Sequence, residues 1–347
     1  MNNKILLVGG TFDDNEGKQS KIIDKISRNI ECICINGGNY NNIEKIIKHI
    51  GEKQYDIVFW FPNIPNNLPK LRNLKELYPK IMLVTSKRNN NEYSKKEIIA
   101  KALRDKANLI LEFNKLNNPF NMRISDPLGN EFYNGTDIEE MCIKLLNRIT
   151  FLKTITRKSV LNSGLEVDYF LIEEKFLKII KKYAEKFHSL INPMETNRYL
   201  GNASKRFRCE KGFPSKRLEN GVLVSRRNIS KEHIQTNEFV EVYEENEMLY
   251  YKGDKKPSVD TPIQFELYKK LPEVNYMIHS HVYVKNAPFT QHKLPCGALE
   301  EIDEIMKVIK ENNLKTNFCI NLIGHGCTIF AKDLDYFDKI EFIERKI

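Results

Sequence analysis

The sequence predicts an α/β protein of two domains, and three observations predict it. Apolar strand-like runs alternate with helical segments through the first part of the chain. A polar, small-residue stretch, Thr154–Gly164, then breaks the pattern. Beyond it, short extended runs dominate. A chain of 347 residues is too long for one typical core and suits two.

The elements follow in order. Lys4–Val8 reads as a strand ending in Gly9-Gly10, and Lys21–Ile30 has helical spacing. Glu31–Ile35 is a strand closed by Asn36-Gly37-Gly38-Asn39, and Ile43–Ile50 a helix. Tyr55–Phe61 is a strand stopped by Pro62 and Pro65; Leu68–Leu77 is helix-like; Lys80–Thr85 is a strand. Ser94 with Glu97 forms a capping box before a helix over Ile98–Lys106, and Ala107–Phe113 is a strand. Strands alternating with helices predict a parallel sheet covered on both faces, as in Rossmann-like or flavodoxin-like domains. Asp126-Pro127-Leu128-Gly129-Asn130 is a turn between two short extended pieces, and Asp137–Leu152 an amphipathic helix. The expected domains are 1–155 and 165–347.

In the second domain, Glu166–Leu190 reads as one long helix. Strands are expected near Gly221–Ser225, Glu238–Val242, Met248–Lys252, Asn275–Val284 and Asn317–Ile323, with a helix over Ala298–Asn312. That mixture predicts an α/β/α domain with a mainly antiparallel sheet.

Hydrophobic residues make up 41% and charged residues 29%, a globular composition. The net charge is +9, but Lys, Asn and Ile are abundant throughout and form no basic stripe with interleaved aromatics. Nucleic-acid binding is therefore disfavoured, and the field suits a small phosphorylated substrate. No apolar run approaches the roughly 20 residues of a membrane helix. The N-terminus lacks the parts of a signal peptide, and the cysteines, seven and scattered, suit free thiols in a reducing cytoplasm. Val8-Gly9-Gly10-Thr11-Phe12-Asp13 follows a strand but fails the dinucleotide fingerprint, and Gly17-Lys18 fails the P-loop pattern. The ligand of the first domain stays open.

The chemistry concentrates in Tyr276-Met-Ile-His-Ser-His-Val-Tyr-Val284. Residues i and i+2 of a strand share a face, so His279 and His281 can share one ligand. Two imidazoles at that spacing are two thirds of a catalytic zinc site. His325 stands downstream in Gly324-His325-Gly326, and Asp260 precedes the pair. Asp260 also fits the N-cap of a helix over Thr261–Leu271. Cys296 reads as a buried small residue, Cys327 as strand packing, and Glu300 with Glu301 as the first turn of a helix. His49, His188, His233 and His292 have no partner at ligand spacing.

From about Lys175 to Phe337 the sequence resembles the class II aldolase/adducin family. Five segments carry the resemblance, in the family's order. They are Gly201-Asn202-Ala203-Ser204-Lys205-Arg206, Gly221-Val-Leu-Val-Ser225, Pro257-Ser258-Val259-Asp260, His279-Ser280-His281 and Gly324-His325-Gly326. Asp260 keeps the aldolases' spacing to His279, although they carry Glu there. The resemblance implies a zinc-dependent lyase, with another divalent metal open, that cleaves a small phosphorylated ketose. It implies His279, His281 and His325 as ligands, Asp260 as proton carrier, and Asn202, Ser204, Ser225 and Ser258 around the phosphate. It also implies a homo-oligomer. A 4-epimerase or dehydratase on the same scaffold, or a non-catalytic adducin-like module, are the alternatives. The departures are Arg226-Arg227-Asn228 in place of Pro-Ser-Gly, a short interval from His281 to His325, and a short tail whose Tyr336 is not clearly equivalent to the family's tail tyrosine.

Overall fold

The computed structural model describes residues 3–64, 74–89, 94–114, 120–166, 171–188, 190–207 and 221–345. The chain divides into two compact units, Met1–Lys153 and Thr154–Lys346.

The first unit runs β1 (Ile5–Asp13), α1 (Lys21–Asn29), β2 (Ile33–Asn39), α2 (Tyr40–Lys53), β3 (Ile57–Trp60), α3 (Leu74–Leu77), β4 (Met82–Asn89), α4 (Lys95–Arg104), β5 (Leu109–Asn114), β6 (Asn121–Ser125), β7 (Glu131–Gly135) and α5 (Ile138–Thr154). One sheet has the order β2-β1-β3-β4-β5-β6-β7. It is parallel from β2 to β5 and antiparallel over β6 and β7. The central strands are apolar on both faces because both are covered. Leu7, Phe59, Val84 and Leu111 pack with Ile23 and Ile26 of α1 and with Met141 and Leu145 of α5. Leu6, Val8, Val58 and Leu83 pack with Ile43, Ile46 and Ile50 of α2. The Ser94–Glu97 capping box is present. Asp126 closes the β6–β7 turn by accepting the N–H groups of Leu128 and Asn130. Of the helix expected over Leu68–Leu77, α3 is the described part; 65–73 lie outside the described residues.

The second unit continues with β8 (Val160–Asn162), α6 (Glu174–Lys182), α7 (Ala184–Phe187), α8 (Pro193–Thr196), β9 (Asn202–Phe207), β10 (Gly221–Ser225), β11 (Phe239–Glu245), β12 (Met248–Tyr251), α9 (Thr261–Lys270), β13 (Tyr276–Ser280), β14 (Tyr283–Val284), α10 (Glu300–Glu311), β15 (Phe318–Leu322), β16 (Gly326–Ala331) and β17 (Phe342–Ile343). Its main sheet has the order β15-β16-β13-β9-β10-β11-β12-β8, antiparallel except where β12 meets β8. One face packs Val222, Val224, Val242 and Met277 against Phe265 and Tyr268 of α9 and Ile305 of α10. The other packs Ala203, Leu223, Ile278 and Ile329 against Phe176 and Ile180 of α6 and Phe187 of α7. The result is three layers, α/β/α.

Within the long helix expected over Glu166–Leu190, the described residues form α6 and α7, separated at Tyr183, while 167–170 and 189 lie outside the described residues. The Tyr183 hydroxyl donates to Phe337 O, and its backbone leaves the helical region at φ −95°, ψ 3°. The break lets Phe176, Ile180, Tyr183 and Phe187 all bury in the same cluster. The single strand expected over Asn275–Val284 is interrupted after Ser280, where β13 ends and the chain turns before β14.

Antiparallel pairing of β13 with β16 sets the geometry of everything below. Ser280 faces Cys327, so the end of β13 lies beside the start of β16. Gly326 makes the approach possible, since a Cβ there would stand 2.0 Å from Ser280 O and 2.8 Å from His281 Cα. Gly221→Ala is the matched control, because its Cβ would meet nothing closer than 3.5 Å. Gly326→Ala is expected to cost roughly 1–3 kcal/mol, the usual penalty of overpacking, and to lower the melting temperature in a scan where Gly221→Ala barely moves it.

Candidate metal centre

His279 sits near the end of β13 and His281 just beyond it. His325 sits in the turn that joins β15 to β16. The β13–β16 register brings that turn against the end of β13. The ring centroids of His279 and His281 are 5.1 Å apart, those of His279 and His325 4.6 Å, and those of His281 and His325 5.2 Å. One nitrogen from each ring lies within 4.8 Å of the other two. The three residues are 3%, 3% and 1% exposed.

Hydrogen bonds select the tautomers. His279 Nδ1 lies 3.0 Å from the Cys327 carbonyl, which can only accept, so Nδ1 carries the proton and Nε2 the lone pair. His325 Nδ1 lies 3.2 Å from Oε2 of Glu301, in the first turn of α10, which leaves Nε2 turned inward. His279 Nε2 and His281 Nδ1 are buried and have no hydrogen-bond partner. Buried polar nitrogens without partners are costly unless something else meets them. A divalent ion is a fitting group, because neutral imidazoles with inward lone pairs are its ordinary ligands.

Electrostatics divide the trio, favouring the neutral form at His279 and His281 and the protonated form at His325. Burial first, then the neighbouring His325, pushes the His279 pKa down to about 4. Burial, followed by His279 and His325, holds His281 well below its usual value. Both rings are therefore neutral at pH 7. Burial opposes a charge on His325, but Cys296 and Glu301 outweigh it and hold its pKa well above the usual value. Burial raises Glu301, an effect that His325 opposes.

Asp260 occupies the N-cap position of α9, yet its side chain makes no capping bond. Oδ1 accepts the Gly297 N–H at 3.0 Å and Oδ2 accepts Asn202 Nδ2 at 3.0 Å. Asn202 faces His279 across the β9–β13 pair, so it ties the carboxylate to the histidine strand. The same amide nitrogen reaches Ser258 Oγ at 3.0 Å, and Gln264 donates to its carbonyl oxygen. Asn202, Ser258 and Asp260 thus form one hydrogen-bonded group.

Two further residues named by sequence stand apart from that group. Ser225 closes β10 by accepting the Ala203 N–H at 3.1 Å. Ser204 lies farther along β9, fully buried, with its hydroxyl 3.1 Å from that of Tyr268. Arg226 pairs with Glu238 at 2.7 Å.

Glu301, Cys296, Gln264 and Lys231 were not singled out for this site by sequence reasoning. Glu301 was visible only as a first-turn acid. Cys296, expected to be buried, is partly exposed and lies 3.3 Å from His325 Nε2. Lys231 is fully buried and donates to Leu200 O at 3.0 Å. Burial pulls its pKa down to about 7, and its charge in turn depresses His279 and His281. Cys327 contributes its carbonyl, while its thiol contacts Ser280 Oγ.

Residues 182–345 match the family model of the class II aldolase and adducin N-terminal domain. Among solved structures, an L-fuculose 1-phosphate aldolase is 15% identical, with 48% of this chain and 81% of that one covered at a TM-score of 0.33. YgbL from Klebsiella pneumoniae is 12% identical over 48% of this chain and 81% of its own, TM-score 0.31. The DNA/pantothenate metabolism flavoprotein from Streptococcus pneumoniae is 13% identical over 44% of this chain and 100% of its own, TM-score 0.35. No curated protein matches the chain. No helix among the described residues is long and apolar enough to cross a membrane.

Glu301→Gln keeps an acceptor for His325 but removes its charge, and is expected to weaken metal binding roughly 10–100-fold by isothermal titration. Lys231 gives a stability prediction with a definite sign. Below pH 7 both states hold its proton and the burial cost is complete. Between about pH 7 and the unfolded value near 10.4, only the unfolded chain keeps the proton, so stability rises with pH. Lys231→Met is therefore expected to unfold at higher denaturant than the parent at pH 6, by an amount on the order of a few kcal/mol. That advantage should shrink steadily towards pH 10.

Proposed function

Because the C-terminal half of this chain belongs to the class II aldolase and adducin domain family, we propose that it is a divalent-metal-dependent lyase that cleaves a small phosphorylated ketose by a retro-aldol step. The observation that carries the reading is the buried trio His279, His281 and His325, whose ligand atoms lie within 4.8 Å of one another, with His279 Nε2 and His281 Nδ1 unpartnered. Those three residues would hold the ion, zinc by preference. When bound, the ion would act as a Lewis acid on the substrate's carbonyl and adjacent hydroxyl.

The chain's own groups supply the rest. Asp260 moves the proton that cleavage displaces, taking it from the hydroxyl as the carbon–carbon bond breaks and returning it to the carbon left behind. The Gly297 N–H and Asn202 hold both oxygens of that carboxylate in place. Ser258 and Asn202 stand beside it for the phosphate end, with Ser225 and Ser204 as the more remote members of the set the resemblance implies. A cleft of about 450 Å³ lined by Arg226, Arg227, Asn228, Lys255 and Lys256 supports an anionic substrate. Arg227 lies within electrostatic reach of Asp260. The same reading takes a homo-oligomer as the working form.

The integrity of the histidine set favours an enzyme over a non-catalytic adducin-like module. A panel of ketose phosphates, assayed for aldehyde release with and without a chelator, tests the proposal. We expect metal in the purified protein, aldehyde from at least one ketose phosphate, and loss of both in His281→Ala. Substrate turnover without aldehyde would point instead to an epimerase or dehydratase. Equal and negligible metal in parent and His281→Ala would leave the binding module as the better account.

A further inference from the structure

A thiol stands against the histidine trio, and the proposed reaction has no use for it. Cys296 belongs to the turn Pro295-Cys296-Gly297, between β14 and α10. Gly297 adopts φ +74°, a conformation that L side chains rarely take, and this lets one turn deliver two groups to one place. The Gly297 N–H meets Asp260 Oδ1 at 3.0 Å, and Cys296 Sγ comes to 3.3 Å from His325 Nε2.

That nitrogen is the one His325 has left for a metal, since Nδ1 is engaged by Glu301. Two ligands of one tetrahedral zinc, with Zn–S near 2.3 Å and Zn–N near 2.0 Å, stand about 3.5 Å apart. The observed separation is in that range. A second observation points to the same ligand: the inward nitrogens of His279 and His281 are buried and unpartnered. A plain S–H···N hydrogen bond would account for Cys296 and His325 alone, and it leaves those other two nitrogens unexplained. The thiol also differs from Cys319 and Cys327, which are buried, in being partly exposed and so open to exchange with solvent or substrate.

We propose that Cys296 is a fourth, displaceable ligand of the metal, capping it at rest and yielding its place to the substrate's oxygens. The proposal rests on the metal reading above. On metal binding the thiol gives its proton to solvent and the sulfur bonds as thiolate. When substrate arrives, the metal–sulfur bond breaks as metal–oxygen bonds form, with no change of oxidation state. A three-histidine, one-thiolate set is a closed tetrahedron, and closed sites are ordinarily structural. Displacement is what reconciles such a set with turnover. It also makes the resting protein sensitive to thiol-modifying reagents only when the metal is absent.

Cobalt(II) in place of zinc reads this directly. The cobalt-loaded parent is expected to show a thiolate-to-cobalt charge-transfer band in the near ultraviolet. Cys296→Ala should keep its cobalt on the three histidines and lose the band, and Cys327→Ala should keep both. On the parent alone, iodoacetamide followed by peptide mapping should modify Cys296 in the metal-free protein and spare it in the loaded one. A band unchanged in Cys296→Ala, or equal alkylation with and without metal, overturns the capping role and leaves the three-histidine site intact. Absence of cobalt binding in both the parent and His281→Ala overturns the metal reading together with the cap.

Discussion

The pairing of β13 with β16 is the constraint on which the site depends. His279 and His281 are fixed relative to each other by strand pleat, a local matter of two residues. His325 is far along the chain and joins them only because Ser280 faces Cys327 in an antiparallel ladder. A slip of one residue would turn the His279 ring to the opposite face of the sheet. The register is held by apolar packing on both faces, with Met277 in one cluster and Ile278 in the other, so stability and site geometry share one cause.

Around that constraint the protein spends its hydrogen bonds on orientation. A backbone carbonyl fixes His279, and a buried carboxylate on α10 fixes His325. Burial keeps His279 and His281 neutral, and the nearby Lys231 charge pushes the same way. Keeping imidazoles neutral costs little, whereas leaving their lone pairs dry and unmet costs more. Within the proposed reading, the arrangement is a place prepared for a cation, with Glu301 orienting His325 and the Cys296 sulfur 3.3 Å from His325 Nε2.

Much of this was legible in the sequence, and the parts that were not fail for identifiable reasons. The parallel sheet of the first unit shows itself through alternation of apolar runs with helical spacing. The His-x-His pair reveals itself because strand periodicity is short. His325 is reachable only through the order of the family's segments, since no local pattern links residues 281 and 325. Asp260 reads equally as an N-cap; its carboxylate instead bonds Asn202 and Gly297, which are distant in sequence. Glu301 looks like any first-turn acid until α10 is packed against the β15–β16 turn. The helix expected over Glu166–Leu190 fails at Tyr183 because a tertiary bond to Phe337 O outweighs local propensity.

The hydroxyls expected from the resemblance to meet a phosphate bear on how this chain would meet an anion. Ser225 already accepts a backbone N–H, Ser204 is engaged with Tyr268, and the Asn202 amide is shared between Ser258 and Asp260. Groups committed to internal bonds gain little by exchanging them for a ligand. The cations at Arg227, Lys255 and Lys256 line an open cleft and include the substituted Pro-Ser-Gly positions. Within the proposed reading, the anionic end of a substrate is therefore met more by the cations of that cleft than by the committed hydroxyls. Charge in a wide cleft discriminates less sharply among anions than a fitted ring of donors. Selectivity must then come from the metal end, where Asp260 is held by two bonds and has little freedom to adapt.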